Sequence, residues 1–138
     1  MTPAPMTDRE VQRLLDDMVL RAGPVRGAVV LSNDGLLVAS STRFGRENSE
    51  HLSALVAGVQ GLARGACRRF GGGRLLQTFI EMDTYLVFMV PAGEHACLAL
   101  VGPPHADAGT IAYEMTELAE RIAERPPAIA RLSGPSTR

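Results

Sequence analysis

Apolar residues recur at helical spacing in three segments of the chain. The first segment begins after Thr7, the second runs from Arg46 to Phe70, and the third begins after Asp107. This spacing predicts three helices. Thr7 and Glu10 have the spacing of a capping box, and Asp107 is a suitable N-cap for the third helix. Prolines 126 and 127 end that helix, since proline cannot continue it.

Five short apolar or alternating runs between these helices predict β-strands. A turn at Asn33-Asp34-Gly35 and the short later connections allow only antiparallel hairpins. Nearly continuous apolar character in three of the runs is typical of strands covered on both faces. We therefore predict an α+β fold with three α/β/α layers around a five-stranded antiparallel sheet. The predicted strands cover residues 27–31, 36–40, 75–82, 85–90 and 96–101.

The long helix predicted over 46–70 carries two apolar faces of different character. One is a stripe of mostly large side chains suited to covering a sheet: Leu52, Leu55, Val56, Val59, Leu62, Ala63, Ala66 and Phe70. The other, here called the small-residue face, consists of Ala54, Gly58, Gly61 and Gly65. Each glycine inside a helix costs roughly 0.5–1 kcal/mol relative to alanine, so three on one face predict close approach by a second helix. Glycines tolerated on a solvent-facing surface are the alternative.

The strand predicted at 75–82 differs from its neighbours because Gln77 and Glu81 interrupt Leu75 and Phe79. This pattern indicates an edge strand, whose unpaired backbone groups a second copy of the chain could satisfy. We therefore predict a homodimer. Its expected interface residues are Ala54, Gly58, Gly61, Gly65, Gln77 and Phe79.

Length and composition predict one domain over residues 7–125, flanked by disordered tails at 1–6 and 126–138. No apolar run is long enough to cross a membrane and the first six residues do not resemble a signal peptide, so we expect a cytoplasmic protein without membrane insertion. The formal net charge is −1, which gives no basic field for nucleic acid.

Candidate catalytic chemistry is sparse. All 14 basic residues are arginine, so no Walker-type loop, Schiff-base lysine or lysine base can form. His51, His95 and His105 do not pair at metal-ligand spacing, and we expect His51 and His95 to be exposed. Cys67 and Cys97 lack a CxxC spacing, which favours two buried or half-buried thiols over a disulfide or redox pair. We expect no catalytic residue, no metal and no cofactor.

The glycine run 71–73 invites interpretation as a phosphate-binding loop. It follows a helix and precedes a strand, however, and left-handed glycine commonly ends a helix. A phosphate loop needs a helix to begin after it, so we interpret the run as a C-cap. The acidic stripe of the last helix is interpreted as a solvated face, with docking of a basic partner as the alternative; it consists of Glu114, Glu117, Glu120 and Glu124.

The element order, the hairpin at 32–37, the helix segment at 52–59 and the apolar strands that follow resemble the roadblock / dynein light chain family. The resemblance covers roughly residues 7–125. It is closer to small actinobacterial members encoded beside a sensor kinase and a Ras-like GTPase in conserved operons. It implies a strand order of 2-1-5-4-3, one long helix on one face of the sheet, and dimers joined through that helix and the third strand. It also implies a platform that binds and regulates small GTPases; some bacterial members stimulate GTP hydrolysis by their partner, and others serve only as scaffolds.

Six arginines are candidates for contact with such a GTPase: Arg43, Arg46, Arg64, Arg68, Arg69 and Arg74. The last four gather at the end of the long helix, where the helix dipole and the arginine-rich composition also explain them. An arginine finger can raise GTP hydrolysis by ~10³–10⁵-fold, but nothing in the sequence marks one of these residues as such.

Three functions remain open at this point. A homodimeric regulatory adaptor for a Ras-like GTPase is favoured, with the sensor kinase as a further partner. A small-ligand sensory domain is the alternative, although four Phe, two Tyr and no Trp offer little aromatic lining. An enzyme is disfavoured by the missing lysine and nucleophile motifs.

Overall fold

The structure is a computed structural model that describes residues 3–128. Within this range, three helices and five strands follow one another in the predicted order. Their bounds are α1 (Asp8–Ala22), β1 (Gly27–Ser32), β2 (Leu37–Ser40), α2 (Arg46–Phe70), β3 (Thr78–Glu81), β4 (Leu86–Pro91), β5 (Ala96–Gly102) and α3 (Ala108–Glu124).

The five strands form one antiparallel sheet in the order β2-β1-β5-β4-β3. At its centre β1 pairs with β5 along its whole length, from Gly27 opposite Val101 to Ser32 opposite Ala96. Every residue of β1 is buried, as expected for a strand covered on both faces. The predicted α+β class and strand order are confirmed.

Two hydrophobic cores lie on opposite faces of the sheet. The larger one packs α1 and α3 against the sheet and includes Leu15, Ile111 and Met115. The smaller one packs α2 and the loop residue Phe44 against the other face. Alternate residues of β1 supply both cores, because successive side chains point to opposite faces of a strand. The predicted three-layer arrangement is confirmed.

Local capping signals define the helix ends as predicted. The Glu10 amide donates to Thr7 Oγ1 at 3.1 Å, and the Thr7 amide donates to Glu10 Oε1 at 3.3 Å. That backbone hydrogen bond from Thr7 is the main reason why the pKa of Glu10 is lowered. Asp107 accepts from the Thr110 amide at 3.2 Å, and Gly71 ends α2 in the left-handed conformation with φ 66°.

β3 is shorter than predicted, since it begins at Thr78 rather than at residue 75. Its pairing with β4 stops at Thr78 opposite Met89, and the next positions would bring Leu76 opposite Pro91. The Ala92 amide donates to the Ala96 carbonyl of β5, so position 91 should donate toward β3. Proline has no N–H, which explains why the ladder ends there.

The chain ends also differ from the expected tails. Met6 is buried in the larger core, and the Ala4 carbonyl accepts a 3.0 Å hydrogen bond from Arg125 Nε. Pro127 is buried as well. Packing therefore extends into both segments predicted as tails, while most of the C-terminal one, residues 129–138, lies outside the described residues.

Replacing Gly27 by alanine should destabilise the fold. A Cβ at Gly27 would lie 2.3 Å from Cγ of the buried Phe44 ring, so the ring must move. Overpacking of this kind costs about 1–3 kcal/mol. In urea denaturation we expect the free energy of unfolding of Gly27→Ala to be lower than that of wild type by this amount. Gly109→Ala, whose new Cβ makes only an ordinary 3.4 Å contact, should stay within about 0.5 kcal/mol of wild type. Equal midpoints for wild type and Gly27→Ala would contradict this packing.

Candidate functional site

The buried side of α2 is narrow and partly polar. All its buried residues lie in the first fifteen positions of the helix, and none lies between residues 61 and 70. They are Ser49, Leu52, Ser53, Val56 and Gln60. Much of the surface of the second half of α2 is therefore uncovered in the single chain.

The small-residue face points away from the sheet. Ala54 and Gly58 are exposed, and Gly61 and Gly65 are half-buried. A Cβ placed at Gly58 or Gly61 would meet no atom within 4 Å outside the local helix backbone. No contact within the described chain therefore requires glycine at these two positions.

Leu55, Leu62 and Phe70 do not cover the sheet, and their assignment to the sheet-facing stripe was wrong. Their exposed fractions are 53%, 78% and 82%. Ser49, Ser53 and Gln60 share the sheet-facing positions with Leu52 and Val56, so a search for apolar periodicity shifted the stripe around the helix. Leu55 and Leu62 instead flank the small-residue face, which makes that surface more apolar than predicted.

β3 forms one edge of the sheet, as predicted, and among the described residues it pairs only with β4. Phe79 is 43% exposed and lies opposite Phe88, with ring centroids 5.5 Å apart on the face covered by α1 and α3. Gln77 is exposed and precedes the strand instead of belonging to it. The small-residue face belongs to α2 on the other side of the sheet, so the predicted interface residues do not share one face.

The six candidate arginines form two groups at opposite ends of α2. Arg43 and Arg46 are exposed at its start, where Arg46 Nε lies 3.4 Å from Glu50 Oε2. The other group, here called the C-terminal arginines, consists of Arg64, Arg68, Arg69 and Arg74; Arg64 is half-buried and the others are exposed. Positions 46 and 64 are about 27 Å apart along a helix with a 1.5 Å rise. The structure does not bring all six together.

The remaining polar groups offer little catalytic chemistry. His51 and His105 are exposed, whereas His95 is half-buried, which corrects the expectation that it is exposed. Within residues 3–128 no three His, Cys, Asp or Glu side chains are grouped so that they could hold a metal ion. No helix in that range is long and apolar enough to span a membrane.

Both cysteines are free thiols, as predicted; Cys67 is half-buried and Cys97 is buried. Burial raises the pKa of Cys97 to about 12, and this outweighs the charge of Arg64 and the amide of Gln60, which favour the thiolate. Cys97 is therefore a neutral thiol at physiological pH.

Comparison with known proteins places this architecture in a family. The sequence model of the Roadblock/LC7 domain matches residues 11–102. A solved Roadblock/LC7 domain from Streptomyces avermitilis is 35% identical, with a TM-score of 0.76, over 80% of this chain and 92% of that one. An uncharacterised protein of Methanocaldococcus jannaschii is 32% identical over 98 residues, which are 71% of this chain and 84% of the relative.

The gliding protein MglB of Thermus thermophilus shares the fold at 19% identity, with a TM-score of 0.75 over 89% of this chain and 95% of that one. At that identity the likeness concerns the fold alone. The family match covers two thirds of the sequence, and the chain belongs to the Roadblock/LC7 family.

The raised pKa of Cys97 predicts a loss of stability at alkaline pH. The folded-state pKa of about 12 exceeds the unfolded value of 9.0, so the stabilising effect of the neutral thiol is complete below pH 9 and is lost as pH rises toward 12. Urea denaturation should show a lower free energy of unfolding at pH 10 than at pH 7, with a loss of roughly 1 kcal/mol from this group. Cys97→Ala should not show this alkaline loss of stability, whereas Cys67→Ala should show it as wild type does. Identical pH profiles for the two variants would refute the assignment.

Proposed function

We propose that this protein is a homodimeric regulatory adaptor, without catalytic residues of its own, for a small Ras-like GTPase in a bacterial signalling system. The observation that carries the dimer is the exposed surface formed by the small-residue face, Leu55 and Leu62. Family membership supports the GTPase, because the family resemblance implies a GTPase-binding platform. A sensor kinase encoded beside such proteins is a further proposed partner.

The α2 surface has the properties of a helix-packing interface. Glycines at 58 and 61 allow a second backbone to approach closely, and Leu55 and Leu62 provide apolar area around them. Full burial of a leucine contributes about 1.5–3 kcal/mol, so four leucines from two copies contribute at most about 6–12 kcal/mol. That is comparable with the roughly 4–15 kcal/mol that association costs, so additional contacts are needed for a stable dimer.

The outer edge of β3 provides such contacts. Its outward-facing backbone groups have no strand partner among the described residues, and pairing with β3 of a second copy would satisfy them. Phe79 would then pack near the junction on the α1 and α3 side, while the α2 helices met on the other side. The two parts of the proposed interface would thus hold the copies together from both faces of a continuous sheet.

The C-terminal arginines are better placed to contact a GTPase than Arg46. Arg46 already pairs with Glu50, whereas no described acidic side chain lies within ion-pair distance of Arg68, Arg69 or Arg74. Exposed guanidinium groups pair readily with carboxylates and phosphates, and they can do so in bidentate geometry. We propose that these three arginines face the acidic or phosphate-bearing surface of the partner.

Leucine at position 61 should separate the copies without unfolding them. The single chain leaves open space at the Gly61 Cβ, so only a second chain would clash with the new side chain. Light scattering on a sizing column should give twice the 14.7 kDa chain mass for wild type and a single mass for Gly61→Leu. Arg13→Leu, which places a leucine at an exposed position of α1 across the sheet, should remain dimeric. A wild-type monomer, or a Gly61→Leu dimer, would refute the interface.

Removing the three exposed C-terminal arginines should weaken GTPase binding. Exposed charge contacts contribute about 0.5 kcal/mol each, so the triple variant Arg68→Ala, Arg69→Ala and Arg74→Ala should bind about tenfold more weakly. Biolayer interferometry would measure this with the purified Ras-like GTPase encoded nearest to this chain, loaded with a GTP analogue. A double variant on α1, Arg9→Ala with Arg13→Ala, provides the control. If the triple variant bound with unchanged affinity, these arginines would not be part of the GTPase interface.

A further inference from the structure

A groove of about 910 Å³ opens beside the point where β3 separates from β4. One wall is the second half of α2 with the segment that follows it, and the other is the turn between β4 and β5 with α3. Small-molecule sites commonly have volumes of about 300–1,000 Å³. The groove is large enough to hold a small ligand.

The groove is a consequence of the short third strand. Because the ladder stops at Thr78 opposite Met89, the segment 73–77 does not pair with Val90 and Pro91. Leu75 and Pro91, both half-buried, line the resulting space and give it apolar walls. The opening is therefore set by the backbone of the sheet edge and not by the rotamer of one exposed side chain.

Gln60 brings a buried, incompletely bonded amide to this groove. The residue is 2% exposed and its Oε1 accepts a 2.8 Å hydrogen bond from Thr78 Oγ1. Its Nε2 has no hydrogen-bond partner among the described residues, and the Cys97 sulfur beside it is a poor acceptor. An unsatisfied buried donor costs about 1–3 kcal/mol, so an acceptor supplied by a ligand would recover that energy.

The wall that contains Gln60 is also the basic wall. Arg64 and Arg68 follow it on α2, and Arg74 follows the helix, whereas Glu94 and Glu120 lie on the opposite wall. Arg64 is close enough to the groove floor for its charge to lower the pKa of Cys97, although burial dominates that pKa. An acceptor with a negative charge therefore fits the α2 wall best.

We propose that this groove binds a small molecule that carries one carboxylate on an apolar body. The carboxylate accepts a hydrogen bond from Gln60 Nε2 and pairs with Arg64, and the apolar body lies against Leu75 and Pro91. Carboxylate oxygens satisfy a buried donor and an arginine together, and such charge-assisted hydrogen bonds are about twice as strong as neutral ones. This site does not depend on the proposed dimer or on a GTPase.

Octanoate is a suitable probe because it carries one carboxylate on an apolar chain. Octylamine reverses the charge on the same chain, and inorganic phosphate keeps a negative charge without the apolar body. Isothermal titration of the full chain should show saturable binding of octanoate and none of the other two. Gln60→Met and Arg64→Met should each weaken octanoate binding at least about tenfold, the loss expected for a buried charge-assisted hydrogen bond. Arg69→Met removes an exposed arginine from the same helix end but outside the groove, and it should bind like wild type.

Alkylation of Cys67 provides a second measurement that does not depend on how well a variant folds. Cys67 is half-buried and lines the groove, so octanoate should slow its reaction with iodoacetamide in the wild-type chain. Absence of saturable octanoate binding, or unchanged affinity in both methionine variants, would overturn the proposal. Octylamine binding would refute the charge assignment, and phosphate binding as tight as octanoate binding would refute the apolar part.

Discussion

The pairing of β1 with β5 is the constraint on which the rest of the structure depends. Six consecutive residue pairs join a strand from the first third of the chain to one from the last third, and both strands are buried apart from the half-buried Val101. This register directs Val29 and Leu31 toward α2 and Ala28 and Val30 toward α1 and α3. A slip by one residue would exchange the two faces and mismatch both cores at once.

The two helical layers use the sheet differently. α3 buries a continuous apolar stripe that includes Ile111, Met115 and Ile122, whereas α2 contacts the sheet through a mixed surface of serines, apolar residues and Gln60. Of the leucines of α2, Leu52 is buried against the sheet, whereas Leu55 and Leu62 remain on the outside. Gln60 then connects α2 to the edge strand through Thr78, so the groove and the sheet edge meet at one side chain.

Signals between near neighbours in the chain were sufficient for most of the elements. The Thr7 and Glu10 capping box, the Asp107 cap and the Gly71 terminator were all predicted from the sequence. The strand order was inferred from family resemblance, because periodicity reports which face of a strand is apolar and not which strand lies beside it. The sheet-facing stripe of α2 was misplaced since its polar members give no hydrophobic signal.

Sequence alone determined the helices, the hairpins, the absence of lysine chemistry and the unusual glycines of α2. Tertiary structure decided that these glycines face outward beside two exposed leucines, that the arginines form two separate groups, and that β3 is short. It also decided that Gln60 lies buried at a groove with an unpaired donor. The physical reason is range: caps, turns and periodicity act within a few residues, whereas exposure, pairing and cavities depend on which distant segments meet.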